Sequence, residues 1–583
     1  MQQAASGSTV PKDVVAIFHA SFHPTQGNTV DWSAKANDDL NLDGVEFCVL
    51  PSGLHTVDRD VIYFTHAGHP GICVFNRRAT EAHGHRGFRL ASLALLLAPS
   101  ARPRPWRHLA ALSGLADAIY AGAEDGDMDT LSEAQWEPAR AFFEERRHAD
   151  EERKWNGWEE ELRDCGEEDP ALALPTLLRT LGPSSIALYK HILGRQRVLF
   201  YTAPPVARAG ALCRAAADMA MRLQLSPPSH LELSPKAKDG VPLIGMVTLH
   251  DLDRLEKTTG EGRGWIACTT DALFLERPQY YDLVVDLTPK SGTRPALFVS
   301  RPIPGAPPRG STHRLQTTRF TWSDVRLWTE LERILSLDAE AFHSAHCPDP
   351  SHPSSSSSSP SNSQWSSPPP SAPQLRWADT WRVYEDVCVL CAGIWNRSRD
   401  WSAADDGAVR LEGPDELGVP DGAEADAVEL DTGPRPRKTR NTALKRASGM
   451  IASRTSQIGR PSTGSKAGTS TTTFELVENE EGLDDDGLSP RARTSLALLR
   501  VVHAHAALLL ARLARALPPT EERGSRVMLP ASALSALELG VLSGSDARFV
   551  AWLGREWAGC EVGVRRGWRD IAGWMFGFGM IGA

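Results

Sequence analysis

The chain has 583 residues, 41% of them hydrophobic and 23% charged, with a formal net charge of −10 at pH 7. That length supports about two to four domains with cores of their own, and the acidic balance speaks against a nucleic-acid partner. Nine cysteines are too sparse and too irregularly placed for a disulfide framework, so a cytoplasmic protein is expected.

The opening "MQQAASGSTVPKD" has no apolar core and does not read as a signal peptide. From Asp13, "DVVAIFHASFH", "EFCVLPSGLH", "DVIYFTH" and "GICVFNRR" are strand candidates separated by glycine, proline and aspartate turns. "GFRLASLALLLAP" is apolar on both alternating faces and suits a central strand. Pro103 and Pro105 then introduce the helix "WRHLAALSGLADAIYAG". These elements predict a sheet-containing lobe over 13–125. The charged stretch 126–170 reads as a solvated helix or connector.

A second α/β lobe is expected over 171–301. Its helix "LPTLLRTLGPSSIALYKHIL" is interrupted at Gly182-Pro183. "RVLFYTAPPV" follows as strand and turn, then the helix-forming "ARAGALCRAAADMAMRLQL". Arg195 and Arg197, just before that strand, are read as anchors of its edge. "VPLIGMVTLHDLDRLE", "GWIACTTDALFLERP" and "YYDLVVDLT" supply further strands, and Pro302–Pro308 mark the end of the lobe.

Beyond Arg319 the pattern is helical. A helical lobe is expected to start at 315–347, continue at 377–397 and close at 489–580. The Ser/Pro-rich 348–376 and the charged 401–488 interrupt it as disordered insertions. "LALLRVVHAHAALLL", Leu496–Leu510, is read as a buried or half-buried helix, because charges bound it and it falls short of the roughly 20 apolar residues of a span. "KRAS", ending at Ser448, would suit a basophilic kinase.

Catalytic patterns are scarce. Cys388 and Cys391 have no companion ligands and are read as buried apolar residues. "GRPSTGSKAG", Gly459–Gly468, lacks the strand and the Lys-Ser/Thr ending of a phosphate loop. His250, Asp251 and Asp253 are read as a capped helix start, and His66, His69, His83 and His85 as loop residues. No metal, cofactor or catalytic residue is assigned. The residues describe an α/β multi-lobe protein that acts by binding a macromolecule.

"SFHPTQGNTVDW" with "LPSGLHTVDRDVIYF", the strand–proline–helix at Arg197–Arg214, and "GWIACTTDALFLERPQYYDLVVDL" together resemble DENN-domain proteins, nearest the LCHN/Anr2-like branch with its fungal members. Cys268-Thr269-Thr270-Asp271 departs from that pattern, since many members carry glycine at the first position. "DARFVAWLGREWAG" and "VRRGWRDIAGWMFG" are similar to closing helices of the fungal members. The resemblance implies a tripartite DENN module: a longin-like N-terminal lobe, an α/β central lobe and a helical C-terminal lobe carrying the insertions. It also implies guanine-nucleotide exchange on a Rab-family small GTPase, without covalent catalysis and with peripheral recruitment to vesicle or endomembrane surfaces. Gln26, Asn28 and Asp31 on the first lobe, and Asp251, Asp253 and Asp271 on the second, are the GTPase-contact candidates. A non-catalytic scaffold or effector of the same shape, and a subunit of a membrane-associated complex, are the competing readings.

Overall fold

A computed structural model describes residues 10–80, 87–121, 133–149, 155–163, 165–221, 241–260, 264–288, 294–305, 312–318, 320–321, 323–346, 487–518, 526–541 and 543–565. All of them belong to one unit, drawn from Met1–Val409 and Asp486–Ala583. His83, His85, Cys388, Cys391, Ser448, the Gly459–Gly468 loop, the 348–376 insertion and all but the last two residues of 401–488 lie outside the described residues.

The first strands are β1 (Val14–His23), β2 (Gly27–Lys35), β3 (Arg59–His66), β4 (His69–Ala79) and β5 (Phe88–Leu97). The short helix α1 (Val45–Val49) lies between β2 and β3. Helices α2 (Leu109–Ala121), α3 (Glu137–Arg146) and α4 (Trp158–Arg163) lead to α5 (Leu174–Leu181) and α6 (Ser185–Leu193). Then come β6 (Val198–Tyr201), α7 (Ala207–Asp218), β7 (Leu243–Met246), α8 (Leu252–Gly260), β8 (Ile266–Thr269), β9 (Leu283–Asp286), β10 (Ala296–Pro302) and β11 (His313–Thr317). Helices α9 (Asp324–His346) and α10 (Pro490–Ala516), β12 (Arg526–Leu529), α11 (Ala531–Ala536), α12 (Gly544–Trp557) and β13 (Glu561–Val564) follow.

Strands β1–β11 form a single 11-stranded sheet in the order β11-β10-β9-β6-β8-β7-β3-β4-β5-β1-β2. The first five pair antiparallel, whereas β9, β6, β8 and β7 are parallel neighbours. The two sets join where β3 meets β7, with Phe64 opposite Gly245. The Thr65 hydroxyl donates to the Leu243 carbonyl there at 2.8 Å. Gly245 has φ +74°, and a Cβ on it would lie 2.4 Å from the Tyr63 carbonyl oxygen, so only glycine lets the strands close.

Strand alternation distributes the apolar side chains over three cores. Phe18, Phe64, Phe75, Phe200, Cys268 and Val285 share the largest core, which continues under α5, α6, α7, α9, α10 and α12. On the opposite face, Ile17, Ile72, Leu93 and Leu95 pack under α2 and α3. Leu199, Ala267 and Val284 pack against Leu255, Phe274 and Tyr281. Strand β5 has both faces covered, which accounts for its unbroken apolar run.

Several sequence expectations need correction. The 126–170 stretch is no solvated connector in its described parts: Trp136, Ala139, Phe142 and Phe143 are buried against the sheet, and Trp158, Glu161 and Leu162 of the α4 segment are buried as well. Pro302 does not end the central strands, because β11 pairs antiparallel with β10. The closing region is not wholly helical, since β12 and β13 pair in parallel as a separate two-stranded sheet. Arg197 anchors the start of β6 as expected, to Asp282 at the start of the neighbouring β9, and β6 is an interior strand.

Candidate functional site

In a parallel α/β sheet, ligand crevices open at the carboxyl ends of neighbouring strands whose connections leave toward opposite faces. Strands β6 and β8 meet that condition. Helix α7 packs on the largest core, and the chain after β8, with Phe274 and Tyr281, packs on the other face. The crevice is occupied by the chain's own residues 51–53. The Ser52 hydroxyl donates to the Asp271 carboxylate, and the Thr270 hydroxyl donates to the Ser52 carbonyl at 2.8 Å. A Cβ on Gly53 (φ +86°) would sit 3.4 Å from Pro204 Cγ. The first strand set thus fills the place where a small ligand would bind and presents a composite surface in its stead.

The antiparallel order places the β1–β2 hairpin at this same end of the sheet. Gln26 is exposed in that hairpin. The Asn28 side-chain amide donates to the Leu50 carbonyl at 3.2 Å, so Asn28 and Asp271 are linked through Leu50–Ser52. Asp253 is exposed in the first turn of α8. Phe22, opposite Asn28 on β1, and Leu273, beside Asp271, are 39% and 47% exposed. Sequence reasoning passed over both, as a single exposed apolar residue carries no signal by itself.

Two candidates fall away from this surface. Asp251 is buried and closes a capping box, accepting from the Thr248 amide at 2.9 Å, as the reading of a capped helix start expects. Asp31 lies where the β1–β2 register slips, and its Oδ2 is 2.9 Å from Nδ1 of His19. His19 in turn packs on Tyr120 and Trp136 of the opposite face. Burial pushes the Asp31 carboxyl up, but the His19 hydrogen bond and charge outweigh it and hold it below the usual range.

The strand sets are also clamped by charges that sequence reasoning missed. Asp60 accepts from the Val206 amide at 2.6 Å and the Ala207 amide at 3.1 Å, capping α7 from the neighbouring strand set. Burial raises its carboxyl despite these amides. Arg102, before α2, reaches Glu161 at 2.6 Å, Asp169 at 3.1 Å and Asp218 at 3.0 Å. Its guanidinium lies 4.8 Å and 4.9 Å from the rings of Trp106 and Trp158. Burial disfavours its charge, yet Asp218 and Asp169, with Glu161 behind them, hold it charged. Arg197 binds Asp282 in bidentate fashion, with Nε at 3.0 Å and Nη2 at 2.7 Å.

Among the described residues no group of three or more His, Cys, Asp or Glu side chains is placed to hold a metal ion. Two helical stretches, Pro170–Leu193 and Pro490–Ala516, are long and apolar enough to cross a membrane. Their most apolar windows are 67% and 50% buried within the fold, as core helices are.

Residues 17–296 match the family described as DENN domain-containing protein 11, a span that takes in strands of both sets and the Phe64–Gly245 junction. The chain is 27% identical over 302 residues to DENN domain-containing protein 11 of Rattus norvegicus, covering 48% of this chain and 59% of that protein. It is 27% identical over 289 residues to the protein of the same name from Xenopus laevis, with 47% and 59% covered. To the uncharacterized protein ANR2 of Saccharomyces cerevisiae it is 23% identical over 317 residues, with 48% and 58% covered. The alignments thus span little more than half the length of these relatives. Residues 17–296, just under half of the chain, are thus similar to the DENN domain-containing protein 11 family, on the α/β fold that carries the match.

Proposed function

We propose that the protein promotes GDP release from a Rab-type small GTPase by binding its nucleotide-free state across the end of the joined sheet. The DENN family is broadly linked to Rab GTPase regulation, and the family match spans the junction between the strand sets. What supports the reading is the filled crevice: Ser52 and Gly53 occupy the switch point and join Asn28 to Asp271, with Gln26 and Phe22 exposed in the adjoining hairpin and Leu273 exposed after β8, while Asp253, exposed on α8, is a further contact candidate of this proposal. Such a surface suits a protein partner better than a metabolite. The LCHN/Anr2-like placement, the longin-like first lobe and the helical third lobe belong to the same reading, as does action in the cytoplasm with peripheral recruitment to endomembranes.

Exchange needs no covalent step. A factor that binds the nucleotide-free GTPase more tightly than the loaded form lowers nucleotide affinity by the same ratio, through linkage. The test is release of fluorescent GDP from a panel of Rab proteins with this protein substoichiometric. Acceleration on at least one member is expected. Preference for a GTP-loaded Rab without acceleration would replace exchange by the effector reading, and no interaction across the panel would remove both.

A further inference from the structure

A cleft of about 290 Å3 opens between β3 and α7, closed off by the segment before α5 and by the start of α10. That volume is near the roughly 300 Å3 lower bound of pockets that hold small ligands. Val61, Leu172 and Ala173 give it apolar walls, and Ala207 and Ala211, one turn apart on α7, leave the room.

The polar groups of the cleft are few. Tyr63 of β3 lies against α7, where a Cβ on Gly210 would be 2.7 Å from its Cδ2. Its hydroxyl makes no hydrogen bond among the described residues. Burial first, then the Glu168 charge, pushes the Tyr63 phenol up, so it keeps its proton and both donates and accepts. Glu167 and Glu168 are exposed at the mouth, and neither meets a cation among the described residues.

Asp169 also lines the cleft but is committed, accepting from Arg102 Nη2 at 3.1 Å and from the Ala171 amide at 2.9 Å. Behind it Arg102, Arg104 and Arg214 face Glu161, Asp169 and Asp218, and these charges balance. Arg491, on the opposite rim, also serves the Asp338 carboxylate. Glu167 and Glu168 therefore leave the mouth negative. A bare metal ion would leave the apolar walls unused. A long basic side chain uses both parts, with its methylenes on the walls and its charge at the carboxylates. Arginine suits the site better than lysine, because its forked N–H donors match a carboxylate and reach a phenol oxygen together.

We infer that this cleft receives an arginine side chain from a segment of a protein partner. The guanidinium donates to Glu168 and to the Tyr63 hydroxyl, and its stem lies along Val61, Ala207 and Ala211. The segment itself stays outside, since Glu167, Glu168, Thr176 and Arg491 are all exposed around the mouth. Arg491 and the Thr176 hydroxyl are donors placed there for main-chain carbonyls of that segment, which a small free cation would not offer.

The experiment titrates the full chain, labelled with 13C at its alanine methyl groups, with the pentapeptide Gly-Gly-Arg-Gly-Gly blocked at both ends. Saturable shifts are expected at the Ala207 and Ala211 methyls, and none when citrulline replaces the arginine, which keeps the shape and removes the charge. Glu168→Gln weakens binding at least tenfold, and Ala211→Leu, which fills the cleft, abolishes it. Glu168 is exposed and Ala211 half-buried, and a melting midpoint unchanged in each variant separates lost binding from lost folding. Where Ala211→Leu lowers the midpoint, Glu167→Gln/Glu168→Gln decides alone. No shifts with the arginine peptide, equal shifts with the citrulline peptide, or binding indifferent to both glutamates overturns the inference. Blocked single arginine binding as tightly as the pentapeptide overturns the protein segment as its source.

Discussion

Replacing Lys190 with methionine keeps most of the side-chain volume and removes the ammonium that stands between Asp324 and Asp546. In the native fold Nζ is 2.5 Å from each carboxylate and 3.3 Å from the Thr321 hydroxyl, and it lies 5.6 Å from the Phe549 ring centroid. Burial pulls the Lys190 ammonium down, but Asp324 and Asp546 more than offset it and hold the group charged. Breaking a buried ion pair by removing one partner costs about 3–5 kcal/mol. The lower end applies here, because burial and the Asp546 charge, against Lys190, already push the Asp324 carboxyl up, so it takes a proton more readily than a free aspartate. A loss of about 3 kcal/mol at pH 7 corresponds to a melting point lower by roughly 5–10 °C. Thermal unfolding of the wild type, Lys190→Met and Lys190→Met/Asp324→Asn measures it. The double variant recovers part of the loss by neutralising one stranded carboxylate. The Lys190→Met deficit narrows toward pH 5, as Asp324 protonates. A single variant melting within 2 °C of wild type, with no response to Asp324→Asn, would refute the reasoning.

Asp60→Ala removes the cap that accepts from Val206 and Ala207, and a loss of about 1–2 kcal/mol is expected by chemical denaturation, with Asp60→Asn milder. Gly245→Ala forces a Cβ to 2.4 Å from the Tyr63 carbonyl at φ +74°; we expect a loss above about 2 kcal/mol and faster amide exchange at Gly245 and Phe64. At Asp282, burial raises the carboxyl, but the Arg197 hydrogen bonds and charge outweigh it and lower the value in the folded state. That contribution is therefore present above the unfolded value near 4 and lost as pH falls through the folded one. The melting difference between wild type and Asp282→Asn should shrink on acidification from pH 6 to pH 3.

Much of the strand and helix pattern was legible because local chemistry agrees with the tertiary setting. "RVLFYTAPPV" reads as strand and turn, and it is β6 followed by the turn into α7. The apolar run of β5 reads as central, and β5 lies between β4 and β1. What joins the strand sets was not legible, since it rests on the Phe64–Gly245 pair and on a glycine conformation that leaves no periodic trace. Charge density misled the reading of 126–170: Glu161 is buried because Arg102 and Arg104 meet it, while Trp136 and Phe143 carry the packing. Strands β11, β12 and β13 escaped notice because, unlike the equally short β6 to β9, they carry no buried apolar run: β11 has no fully buried residue and β12 and β13 have one each. The candidate site was legible in part. Residue type marked Asn28 and Asp271 as polar surface positions, but the register slip beside Asp31 sends that carboxylate to His19 on the other face.

The most direct test of the end surface as the GTPase-binding face is hydrogen–deuterium exchange of the full chain, alone and with a nucleotide-free Rab on which it accelerates GDP release. Protection is expected together at residues 22–28, 50–54 and 270–273, with little change around Asp31 and His19. Protection confined to regions far from the Ser52–Asp271 contact would contradict the account.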